Sequence, residues 1–134
     1  KRFILLTGYM GELIHKYFGD GSKWGWSIKY SNGPKEWDTG RRLWESRSFL
    51  DDKFFLLYSD NFVQFDLNKL TNFHCEKKLA VSLLLAPKKN GNIKVSNDGS
   101  IVAYIKNRTG NGRYLEHGRR ARLLAWKYLF RYVR

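Results

Sequence analysis

The sequence predicts an α/β fold built on a doubly wound, mainly parallel sheet with an appended β-hairpin, all within one domain of 134 residues. Three observations point there. Short apolar runs alternate with helix-period segments through residues 3–86, in the order βαβαβαβ, and strands alternating with helices imply parallel pairing through right-handed crossovers. The run Phe54-Phe55-Leu56-Leu57-Tyr58 is too short for a helix and apolar throughout, as a strand buried on both faces requires. Asn97-Asp98-Gly99 between two β-rich runs is a turn sequence that supplies a positive φ at Gly.

The elements follow in order. Phe3 to Thr7 reads as a buried strand, and Gly11 to Phe18 as a short helix with Leu13, Ile14, Tyr17 and Phe18 on its inner face, stopped by Gly19-Asp20-Gly21. Trp26 to Tyr30 alternates as a half-buried strand before the loop Ser31-Asn32-Gly33-Pro34. Asp38 or Thr39 caps a helix reaching Leu50, with Leu43, Trp44 and Leu50 inward. Strand 54–58 follows, then Asp66 opens a helix to about Lys77, and Leu79 to Ala86 is a further apolar strand. Asn92 to Val95 and Ile101 to Ile105 form the hairpin.

Asp60 stands just beyond the apolar run, where strand carboxyl ends of open α/β sheets handle a divalent metal or a phosphorylated ligand; the alternative is a side chain that caps the next turn. Cys75, the one cysteine, has no disulfide partner in the chain and none of the companions of a zinc site, and is expected as a half-buried structural thiol. No apolar stretch reaches a membrane span and the start is unlike a signal peptide, so the expected compartment is the cytoplasm. A first residue Lys1 leading straight into a strand suggests a fragment.

The net charge of +13 points toward nucleic acid, anionic surfaces or phosphorylated ligands. Much of it lies late: seven basic residues from Arg113 to Arg134 oppose Glu116 alone. Residues 119–134 read as a basic amphipathic tail, expected to be helical; of a membrane-surface helix, a helix packed on the sheet with its basic stripe in water and the product of a frame error, the last two are favoured.

Gly8-Tyr9, Ile14, Tyr17-Phe18-Gly19-Asp20-Gly21, Ile28 and Tyr30, in this order and spacing, resemble the sugar-phosphate nucleotidyltransferase (nucleotide-sugar pyrophosphorylase) family. Thr39-Gly40 with Leu43 resembles its Gly-Thr-small-Gly-small-Leu segment, Phe55 to Asp60 its strand ending in Gly-Asp, and Asp98-Gly99 with Tyr104-Ile105-Lys106 the approach to its Glu-Lys-Pro. The likeness spans about residues 3–118, which marks 1–118 as a partial nucleotidyltransferase-like, Rossmann-like domain and 119–134 as the tail.

The resemblance implies transfer of a nucleotidyl group from a nucleoside triphosphate to a sugar 1-phosphate, with release of pyrophosphate and use of Mg²⁺. It assigns Asp60 to the metal, Thr39 and Gly40 to the nucleotide, and Lys106 and Glu116 to the sugar-phosphate substrate. The family's Gly-Gly-x-Gly-Thr-Arg-Leu loop is not among these residues, so the catalytic groups stay unassigned and the chain is expected to be inactive by itself. Arg41 and Arg42 replace small residues, with a solvated helix face as their alternative role; Asn107-Arg108 follows Lys106 where the family has Pro. The runner-up function is a nucleic-acid-binding module on basic and aromatic surface, although no helix-turn-helix, aromatic sheet motif or Gly-x-x-Gly clamp is present, and no specific nucleic acid is expected as a partner.

Overall fold

A computed structural model describes residues 1–59, 64–85 and 93–104 and the backbone of 127–131. Helices and strands are mixed, as an α/β chain requires, and two compact units divide between Lys53 and Phe54.

In the first unit, β1 (Arg2–Thr7), α1 (Gly11–Phe18) and β2 (Ser27–Asn32) form a β-α-β unit whose strands pair in parallel, with Phe3 opposite Ile28 and Thr7 opposite Asn32. Both strands therefore end at the same edge. Gly19 N–H closes α1 on His15 O at 2.8 Å, and a 3-10 turn at Ser22–Trp24 leads to β2. Packing is largely aromatic: Phe3 meets Trp26 at 5.0 Å between ring centres, and Trp24 lies 5.2 Å from Phe18 and 6.0 Å from Trp26. Ile28 on β2 is the buried aliphatic side chain of this unit among the described residues. The expected inner face of α1 is not buried. Leu13 and Tyr17 are 57% and 69% exposed, and Tyr17 and Phe18 meet the Trp24 ring instead of forming a buried stripe.

α2 (Thr39–Glu45) is capped by Asp38, whose Oδ1 accepts from Arg41 N at 2.7 Å. It stops earlier than the expected Leu50, since Ser46 turns the chain into a 3-10 segment at Arg47–Phe49. Ser46 is fully buried and its Oγ donates to Leu43 O. Trp44, expected inward, is exposed and carries Arg47 over its ring at 4.5 Å. Arg2 pairs with Asp51.

In the second unit, β3 (Lys53–Leu57), β4 (Val81–Leu83) and β7 (Lys127–Arg131) form a sheet in the order β3-β7-β4, with β4 and β7 antiparallel. Two expectations change. The 54–58 run is half-buried rather than covered on both faces, with Leu57 51% exposed. Residues 127–131 of the tail are a strand rather than a helix: the segment pairs its backbone with β4, Val81 opposite Phe130 and Leu83 opposite Tyr128, and its Tyr-Leu-Phe core suits a strand as well as an amphipathic helix. The rest of 119–134 lies outside the described residues. The β1–β2 pair of the first unit is parallel.

Asp66 caps α3 (Leu67–Lys77) by accepting from Asn68 N and Lys69 N. Leu70 and His74, four apart, form its buried side, and His74 Nδ1 lies 3.0 Å from the buried Ser82 Oγ. Cys75, one step further round, is exposed rather than half-buried. β5 (Ile93–Val95) and β6 (Ile101–Tyr104) pair antiparallel around a turn in which Asp98 accepts from Ser96 Oγ, Ser100 N and Ser100 Oγ.

Candidate functional site

The common carboxyl edge of β1 and β2 is the candidate site of the first unit, because loops leaving parallel strands there converge on one crevice. Thr7, the last residue of β1, is buried and donates its hydroxyl to Asn32 Oδ1, the last residue of β2. The two strand ends are thus locked side chain to side chain.

Arg42 reaches this edge from α2. Its Nη1 donates to Thr7 O at 2.6 Å and, at 3.4 Å, to Gly33 O, while Nη2 donates to Pro34 O at 2.6 Å. One guanidinium therefore ties the end of β1 and the loop after β2 to α2, using the fixed fork that suits arginine and not lysine. Gly8 allows the approach: a Cβ there would lie 2.9 Å from Arg42 Cζ, inside any real contact distance. Gly33 does the same for Trp37, whose Cδ2 would meet a Cβ at 3.1 Å. Arg41 stacks over the Trp37 ring at 5.4 Å and pairs with Glu45 at 2.6 Å.

The charges of the two neighbours differ in kind. Arg41 has a carboxylate counter-ion, whereas Arg42 has backbone dipoles and no carboxylate partner among the described residues. At the opposite edge of the strand pair, two hydrogen bonds from Ser22, the side-chain one the larger influence, hold the exposed Asp20 carboxyl below its ordinary 3.8.

Of the residues that the sequence nominates, Thr39 and Gly40 are the first two of α2, the helix that Arg42 anchors to the strand ends. A Cβ on Gly40 would meet only Asp38 Oδ1, at 3.5 Å. Asp60, Lys106 and Glu116 lie outside the described residues. Among the described residues no group of three or more His, Cys, Asp or Glu side chains gathers as a metal site, and the edge of β1 and β2 presents the Arg42 guanidinium. No helix among them is long and apolar enough to cross a membrane.

In the sequence Arg42 reads as a substitution for a small residue, and Thr7 and Asn32 carry no motif. The available signal was the pair of glycines, Gly8 and Gly33, each directly after a strand end, where a bulky neighbour needs close access to backbone.

The family described as nucleotidyl transferase has a sequence model that matches residues 1–104. No curated protein matches the chain as a relative.

Proposed function

The chain belongs to the nucleotidyl transferase family, and from that premise we propose that it serves transfer of a nucleotidyl group from a nucleoside triphosphate to a sugar 1-phosphate. In this reaction a phosphate oxygen of the sugar attacks the α-phosphorus, a bond to that phosphorus forms, the bond to the bridging oxygen breaks, and pyrophosphate leaves. Catalysis of that kind consists mainly of positioning two anions and offsetting their charge.

The observation that carries the reading is the family match over residues 1–104, which includes β1, β2 and α2. Thr39 and Gly40 are proposed to lie against the nucleotide, Lys106 and Glu116 to meet the sugar phosphate, and Asp60 to be the carboxylate for a divalent cation such as Mg²⁺. The doubly wound, mainly parallel sheet belongs to the same proposal, supported by the parallel β1–β2 pair joined through α1. A cytoplasmic setting and a role in polysaccharide precursor synthesis would suit this chemistry.

The test is calorimetric binding of a panel of nucleoside triphosphates and sugar 1-phosphates to the 134-residue chain. One triphosphate is expected to bind, and more tightly with its sugar 1-phosphate present, while pyrophosphate release stays at background because the Gly-rich loop is not among these residues. A triphosphate bound with no influence from any sugar phosphate would assign the transfer to another acceptor. Binding of neither would refute the proposal.

A further inference from the structure

We propose that Arg42 is a phosphate-binding residue, holding an oxyanion of the nucleotide's phosphate chain at the carboxyl edge of β1 and β2. This rests on the nucleotide site proposed above and deepens it.

Three observations carry the inference. The guanidinium is fixed before any ligand arrives: Thr7 O at the end of β1 and Gly33 O and Pro34 O in the loop after β2 hold it from two segments, and Gly8 leaves it no Cβ to avoid. Its position is set by backbone, so an anion meeting it would not have to order a mobile side chain. Its charge is also unspent. Three carbonyl dipoles satisfy hydrogens without cancelling a full positive charge, and a partly buried cation with no carboxylate partner among the described residues favours an anionic ligand. Finally, a guanidinium has five N–H donors; these bonds use both hydrogens of Nη1 and one of Nη2, leaving Nε–H and the second Nη2–H without a partner among the described residues. Two donors on one planar fork are the arrangement that grips two oxygens of a phosphate.

Arg41 supplies the internal contrast. It has the same residue type and the same helix, but its guanidinium is matched by Glu45 and stacked on Trp37. The proposal therefore assigns the phosphate to Arg42 alone.

The experiment titrates inorganic pyrophosphate into the ¹⁵N-labelled chain and follows the arginine Nε–H resonances. The Arg42 Nε–H is expected to shift with a saturable dependence and the Arg41 Nε–H to stay in place. Arg42→Lys, which keeps the charge but loses the fork, is expected to weaken pyrophosphate binding tenfold or more, and Arg41→Ala to change it less than twofold. Should Arg42→Lys fail to fold, the wild-type shift decides alone. An unmoved Arg42 Nε–H under pyrophosphate, or an Arg41→Ala loss as large as that of Arg42→Lys, would overturn the inference. If a nucleoside triphosphate binds while Arg42 Nε–H stays unmoved, the inference falls and the nucleotidyl-transfer reading stands. If pyrophosphate shifts Arg42 but no nucleoside triphosphate competes for it, the anion site stands and that reading fails.

Discussion

Gly8 and Arg42 make a pair whose energetic coupling can be worked out from the structure. Arg42→Ala removes two short bonds of 2.6 Å and one long bond of 3.4 Å from an ionised donor to backbone carbonyls. At about 1 kcal/mol for each short bond, and a little more for the charge on the donor, the loss is about 2–3 kcal/mol. Gly8→Ala places a methyl 2.9 Å from Arg42 Cζ and Nη1, so the guanidinium must leave and the same bonds are lost. Gly8 has no left-handed φ, and its replacement therefore also returns about 0.4–1 kcal/mol through a less flexible unfolded chain. The net cost of Gly8→Ala in the wild type is about 1–2 kcal/mol. In the Arg42→Ala background nothing stands in the methyl's way, and the same substitution should cost nothing or stabilise slightly. The cycle thus predicts a coupling of about 2 kcal/mol, within the range found for residues in direct contact. Urea unfolding followed by tryptophan fluorescence is the assay, since Trp24, Trp26, Trp37 and Trp44 all lie in the first unit. A coupling of that size displaces midpoints by about 1 M at an ordinary urea slope. Costs that add to within about 0.5 kcal/mol would refute the latch, because the two side chains would then act independently.

Gly40→Ala should raise stability by about 0.5–1 kcal/mol by removing a glycine from α2, and should at the same time weaken nucleoside triphosphate binding if the nucleotide lies against that backbone; calorimetry beside thermal unfolding separates the two effects, and unchanged affinity would remove Gly40 from the site. Asp98 should titrate below 3.8, held down first by the Ser96 hydroxyl and then by Ser100 N and Oγ. Because the folded value is depressed, its contribution to the β5–β6 turn is present above pH 3.8 and is lost as pH falls below it. Ser96→Ala should bring the carboxyl resonance midpoint back toward 3.8, and an unmoved midpoint would contradict that cause.

Elements bounded by strong local chemistry were legible in the sequence. α1 covers Gly11–Phe18 as its periodicity and following glycine predict, and Asp66 caps α3 because a carboxylate ahead of an apolar-periodic run satisfies the first free N–H groups. Pairing was less so. The run 54–58 is a strand, but which neighbour it takes depends on a partner about seventy residues away, and β7 stands between β3 and β4. The tail's short apolar run Tyr128-Leu129-Phe130 suits a helix or a strand, and which it becomes depends on its pairing with β4, distant in sequence. Thr39 and Gly40 are nominated for the nucleotide by their resemblance to a family segment, and the structure shows them as the first residues of α2. The Arg42 contacts were not legible, because they are made to three carbonyls 8 to 35 positions away, and no local pattern encodes which backbone oxygens a long side chain will meet.

The most direct test of a nucleotide site at the carboxyl edge of β1 and β2 is a map of backbone amide shifts in the ¹⁵N-labelled chain as a nucleoside triphosphate is added. The account predicts saturable shifts concentrated at Thr7, Gly8, Asn32, Gly33, Thr39 and Gly40, with the residues around Asp20 at the opposite edge unmoved. Shifts centred on Gly19 to Trp24, or a saturating titration that leaves Thr39 and Gly40 in place, would contradict it.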